Sequence, residues 1–143
     1  MYRDDFQRLE GVWTGTESID DAGARREGSG RLVFQTVFDG RFLLCDHVQT
    51  ASERPASVGH GVFRRDERTG ELTVTWFRSP DADATQQAHG VAEGDKLVFF
   101  ETIDGRRTCT TYAIMLDRLS IHTDCSLRDG ESKRIFEGSY RRR

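Results

Sequence analysis

The sequence predicts an all-β protein: an up-and-down antiparallel β-barrel of about ten strands with a short N-terminal helix. Three observations predict it. From Gly11 onward, apolar residues recur with a period of two, the spacing of half-buried strands. Tight-turn signals punctuate these runs at short, even intervals, among them Asp39-Gly40, the stretch DERTG and Asp104-Gly105. Hydrophobic residues make up 36% of the chain and charged ones 31%, which is low for a thick core and suits a barrel with a partly polar lumen. At 143 residues, positions 1–143 fit one domain with one core.

Taken in order, YRDDFQRL (2–9) places Tyr2, Phe6 and Leu9 at helical spacing, so a short amphipathic helix is expected to end near Gly11 as a lid or plug. GVWTGTES opens the strands. IDDAGARREGSG follows as a polar, glycine-rich connection, the longest expected in the chain. RLVFQTVF and FLLCDHVQT form a hairpin about Asp39-Gly40. SERPA is a loop held by Pro55, and SVGHGVFRR and ELTVTWFRS pair across DERTG. SPDAD breaks the pattern. TQQAHGVA, KLVFFETI, RRTCTTYAIML, LSIHTDCSL and KRIFEGSYRR complete the set, with a tight turn at Asp117-Arg118. Turns this short favour a meander that closes into a barrel, because closure removes exposed sheet edges. A Greek-key sandwich, the alternative, needs longer crossovers.

Composition also excludes some function classes. A net charge of -3 gives no bulk attraction for nucleic acid, and Arg141-Arg142-Arg143 is a solvated basic tail. No apolar run approaches the ~20 residues of a membrane span, and MYRDDFQRLEG lacks the apolar stretch of a signal peptide. A cytoplasmic location without membrane association is therefore expected. Cys45, Cys109 and Cys125 are widely spaced with no C-x-x-C, so they read as reduced, mostly buried hydrophobes. No metal site or resident cofactor is expected, since the four histidines show no short ligand spacing and phosphate-cradle, zincin and nucleophile-elbow motifs are absent.

The stretches LEGVWTGTE, VFDGRFLL and GVFRRDERTGELTVTWFRSPD resemble a bacterial family of uncharacterised, calycin-like proteins, the DUF1579 type. The resemblance covers most of the first half of the chain. The G-x-W element alone is also similar to lipocalins, fatty-acid-binding proteins and nitrobindin-like haem barrels. These likenesses imply a barrel of eight to ten strands around a cavity, with Trp13 closing one end, and imply no particular activity.

Alternation then suggests which side chains face the lumen. Leu72, Val74, Trp76 and Arg78 form one inward set, and Val58, His60, Val62 and Arg64 another. The strand with Phe42, Leu44, Asp46 and Val48 is ambiguous, because its other face carries Leu43, Cys45 and His47. Centring the adjoining turns on Glu53 and Arg68 sets Asp46 opposite His60 and His60 opposite Trp76. An Asp46–His60–Trp76 row would then cross an apolar wall, either as a hydrogen-bonded structural pair or as a ligand anchor or carboxylate-oriented base. Arg64 and Arg78 fall near strand ends, where a guanidinium can hold an acidic group. Glu17 and Glu101 sit on apparently inward faces. Tyr112 and Tyr140 can reach the lumen, whereas His122 faces outward.

The leading functional expectation is a barrel that binds a small apolar or amphipathic molecule through His60, Trp76, Asp46, Arg64 and Arg78. An isomerase or cyclase using Asp46–His60 as its base is a second reading. A nitrobindin-like haem barrel, which needs an inward histidine on a late strand, is a third. An interaction module with a filled interior is a fourth. A homodimer is compatible with the sequence.

Overall fold

Strand-forming residues at period two build ten strands in the computed structural model, which describes residues 2–21, 23–51, 56–79, 85–103 and 105–143. The strands are β1 (Gly11–Asp21), β2 (Ala24–Val37), β3 (Phe42–Ala51), β4 (Ser57–Arg65) and β5 (Leu72–Arg78) in the first half. They continue as β6 (Thr85–Glu93), β7 (Lys96–Ile103), β8 (Arg106–Met115), β9 (Arg118–Ser126) and β10 (Ser132–Arg142). Each pairs antiparallel with its sequence neighbours, and β10 pairs with β1 to close the barrel. One helix, α1 (Tyr2–Leu9), precedes them. The predicted fold class is the observed one. Pro55, Asp81 and Asp104, expected in loops, lie outside the described residues.

Three expectations need correction. IDDAGARREGSG is not a loop: Ile19 pairs with Arg26 and Asp21 with Ala24, so most of this stretch is strand. Its polarity misleads because Arg25, Arg26 and Glu27 are exposed on an arm whose backbone bonds are satisfied by its partner. The β8–β9 turn also falls one residue early, at Leu116-Asp117, where Leu116 takes φ 55°.

The β4–β5 register is the consequential difference. His60 faces Phe77 and Gly61 faces Trp76, one residue away from the expected alignment. The cause is the turn. Asp66 accepts from the amides of Arg68 (2.8 Å) and Thr69 (3.1 Å) through Oδ1, and Gly70 closes it at φ 77° with its amide on the Asp66 carbonyl. Six residues separate Arg65 from its partner Leu72, an even count, where a turn centred on Arg68 needs an odd one. The β3–β4 register is as expected, with Asp46 opposite His60. A one-residue slip turns every side chain to the other face. With Leu72, Val74 and Trp76 inside, the inward residues of β4 are Gly59, Gly61, Phe63 and Arg65, and those of β3 are Leu43, Cys45 and His47.

The helix plugs one end of the barrel. Phe6, Leu9 and Trp13 are each fully buried, and the Trp13 indole N–H donates to the Leu9 carbonyl (2.8 Å). Arg142 lies 4.2 Å from the Trp13 ring centroid and donates to the carbonyls of Arg8 (2.6 Å) and Glu10, capping the end of α1. On the other side of the plug, Arg65 lies 4.3 Å from the Phe6 ring and pairs with Asp5 at 3.4 Å. Above the helix, Phe63 meets Phe6, Trp76, Phe99 and Tyr112 edge-to-face at 5.6–6.5 Å. Aromatic packing therefore fills the helix half of the barrel and leaves the far half for a site.

Candidate functional site

The far half encloses a cavity of about 390 Å³, within the size range of small-molecule sites. Its wall is mainly apolar and aromatic, including Val74, Trp76, Phe99, Tyr112, Ile121 and Phe136. Toward the end away from the helix it becomes polar, with Gln49, Ser57, Arg78, Gln86, Glu101 and Thr108. The interior is thus packed at one end and open at the other.

Glycines make this space. A Cβ on Gly61 would stand 2.9 Å from the Trp76 ring, and one on Gly59 would stand 2.9 Å from an Arg78 guanidinium nitrogen. Two inward glycines on β4 let the Trp76 indole lie flat against the wall instead of filling the lumen. Arg78 then stacks 4.4 Å from the centre of that indole. Among the described residues Arg78 has no carboxylate within ion-pair distance. Glu101 lines the same cavity, and burial raises its carboxyl pKa despite the opposing pull of Arg78.

A buried polar cluster occupies the opposite wall. The Glu17 side chain is fully buried, and its Oε2 accepts from His47 Nε2 (2.6 Å) and from the Tyr140 hydroxyl (2.5 Å). Glu17 reaches His47 across β2 over Gly30, where a Cβ would lie 2.1 Å from Oε2. Burial acts to raise the Glu17 pKa, but the bonds from His47 and Tyr140, the charge of His47 and a smaller contribution from Gln49 outweigh it and hold it below the usual value. Glu17 is accordingly the ionised member at neutral pH, and Oε1 is buried with no hydrogen-bond partner among the described residues. Burial and the adjoining carboxylate push the Tyr140 hydroxyl far upward, so it stays a donor. His47 lines the cavity and meets the Phe136 ring edge-on at 6.5 Å.

The structure divides the residues singled out in the sequence. Trp76 and Arg78 lie on the cavity wall. Asp46 and His60 do bond to each other, Oδ1 to Nδ1 at 2.8 Å, but on the outer surface with side chains 64% and 45% exposed. Arg64 is also exposed on the outer face. These three do not face the cavity, because the register at Asp66–Glu71 turns β4 and β3 the other way. The apolar residues Val58 and Val62 misled: both lie on the outer face, and Val58 is 46% exposed. The missed residue is His47. Its signal was the alternation Leu43, Cys45, His47 on one face of β3, with glycine at every second position in Gly59-His60-Gly61 marking the face against which a large ring packs.

The donors do not fit a haem of the nitrobindin type. β9 turns Leu119, Ile121 and Thr123 inward, and His122 sits half-buried on its other face, with its pKa lowered first by burial. His89 is exposed and bonds Glu71 at 3.0 Å. His47 is inward but has Nε2 committed to Glu17, and burial raises the pKa of the Cys45 thiol so that no thiolate replaces it.

No protein-family model matches the chain, and no curated protein matches its sequence. Solved structures do resemble it. Rv2717c from M. tuberculosis superposes with a TM-score of 0.74 at 16% identity, over 99% of this chain and 97% of that one. The S-type phycobiliprotein lyase CPES from Guillardia theta gives 0.66 at 12% identity, over 96% and 90%. A mutant of the fluorescent protein UnaG gives 0.55 at 16% identity, over 95% and 96%. At such identities the likeness is one of fold, and the fold of this chain is a calycin-like β-barrel.

Proposed function

We propose that this protein binds a small apolar or amphipathic molecule in the far half of the barrel. The observation that carries the reading is the cavity of about 390 Å³, walled by aromatic and aliphatic side chains with a few polar groups at one end. Trp76 offers a flat face to the apolar body of the ligand. Arg78, stacked on that face and without a carboxylate partner among the described residues, suits an acidic group. A phycobiliprotein lyase stands among the structural neighbours, so a barrel of this shape is compatible with a role beyond a purely structural one. Kinship with the DUF1579 type is part of the same proposal and rests on LEGVWTGTE, VFDGRFLL and GVFRRDERTGELTVTWFRSPD.

Native mass spectrometry of the freshly purified protein tests this. We expect a retained small molecule in the wild type that is lost in Trp76→Ala, with Arg78→Gln releasing an acidic ligand preferentially. A molecule retained equally by wild type, W76A and R78Q would place binding elsewhere.

A further inference from the structure

We infer that the cavity also supports proton-transfer catalysis, with His47 as the base, Glu17 as its positioning residue and Arg78 as the group facing the charge that forms. The inference goes beyond binding, and rests on that reading only in needing the cavity to admit a substrate.

On β3, β4 and β5, His47 pairs with Gly59 and Gly59 pairs with Arg78, so the three form one cross-strand row. The middle position has no side chain. The Arg78 guanidinium, stacked on Trp76, lies over that bare position, 2.9 Å from where a Gly59 Cβ would stand, on the wall between β5 and the His47 strand, whose backbones are two strand spacings apart, about 9–10 Å. His47 and Arg78 both line the cavity. Glu17 reaches in diagonally from β1, where it pairs with Gly28, and its side chain crosses over Gly30 to hold His47 Nε2 at 2.6 Å. Since the carboxylate accepts at Oε2, His47 donates through Nε2–H, and the proton that this ring gains or gives up is the one on Nδ1. Nδ1 has no hydrogen-bond partner among the described residues and is not sealed from the lumen. A base, a carboxylate that fixes its tautomer and stabilises the imidazolium, and a cation lining the same cavity are the parts that carbon-proton abstraction needs. The exposed Asp46–His60 pair has the same two groups but neither a cavity nor a facing cation.

The substrate class is a small, mostly apolar carbonyl compound with an acidic hydrogen beside the carbonyl. His47 Nδ1 takes that proton. The C–H electron pair becomes the carbon–carbon double bond of an enolate, and the carbonyl pair moves onto oxygen next to Arg78. In a β,γ-unsaturated member of this class the enolate is conjugated with the second double bond, and return of the proton to the γ carbon moves that double bond next to the carbonyl, giving an isomer with no oxidant, reductant or co-reactant consumed.

Nitrobenzisoxazole is a suitable probe. One carbon-bound proton is removed by a base, the C–H pair forms the nitrile, and the N–O bond breaks to leave a coloured nitrophenolate. We expect saturable turnover by the wild type, lowered at least about 100-fold in kcat by His47→Gln. Glu17→Gln should lower kcat about tenfold or more, with KM unchanged, as loss of one charge-assisted hydrogen bond to the imidazolium would give. His60→Gln should turn over like the wild type. Should H47Q not fold, the methyl-substituted probe, which lacks the labile proton, serves with the wild type: it should quench Trp76 and inhibit turnover competitively. Turnover equal in H47Q and wild type, turnover lost in H60Q, turnover untouched by saturating methyl analogue, or quenching by the analogue without any turnover of the parent would each overturn the inference. The last of these leaves the binding reading intact.

Discussion

At the scale of single residues, Glu17 is the most constrained side chain in the molecule. It is charged, fully buried, and tolerated because His47 and Tyr140 both donate to it. The carboxyl is held below its ordinary value of 4.5, so the folded state binds its proton less readily than the unfolded chain does. The stability it lends is complete above a pH of about 4.5 and drains away as the pH falls through the lower folded value. Urea unfolding at about pH 6 and about pH 3.5 should show a smaller loss of midpoint in Glu17→Gln than in the wild type; equal losses would remove Glu17 as a source of the acid sensitivity. Cys45 yields a second expectation at this scale. Burial pushes its thiol upward, and it lies on the inner face. Iodoacetamide should label Cys45 only after unfolding, and peptide mapping that finds it modified in the native protein would contradict its placement. Little of this was legible in the sequence. Glu17 stood out as inward beside Trp13 and Gly15, but its partner lies thirty positions away by sequence on β3, and the two meet only across the intervening strand β2.

At the scale of elements, local pattern gave existence reliably and orientation less so. Period-two apolarity and tight turns delimit the strands because both are set within a few residues. Which face points inward depends on the parity of each loop. The turn at Asp66–Gly70 decided it for two strands at once, through an aspartate side chain bonding amides two and three residues ahead. The helix shows the opposite case. Phe6 and Leu9 already announce their buried face, and the structure adds the residues that pin it: Trp13 beneath, Arg142 over the Trp13 ring and Arg65 over Phe6. Phe6→Ala removes a fully buried ring and should cost about 3–5 kcal/mol in chemical unfolding. Because the plug and the cavity occupy opposite halves, the same variant should bind ligand at 25 °C much as the wild type does wherever it remains folded. A loss of binding in proportion to the loss of stability would mean that the two halves are not separate.

At the scale of the whole molecule, the barrel divides its interior between a packed half and an open half. The helix half is filled by Phe63 and its aromatic neighbours. The far half is kept open by glycines at positions 30, 59 and 61, which leave Glu17 and Trp76 room to lie along the wall. A composition low in apolar residues is consistent with this division, since only part of the lumen needs a dry core. The central claim is that the far half admits a ligand beside Trp76, and the two tryptophans make it directly measurable. In Trp13→Phe, emission comes from Trp76 alone. Titrating that protein with anilinonaphthalene sulfonate, an apolar ring system bearing an anionic group, should quench Trp76 saturably. Adding Ala88→Trp would bring in a second emitter, so Ala88→Phe is the matching control, filling the cavity from β6. The account predicts saturable quenching in W13F that is lost when A88F is added. Quenching that persists unchanged with the cavity filled, or none in W13F, would contradict it.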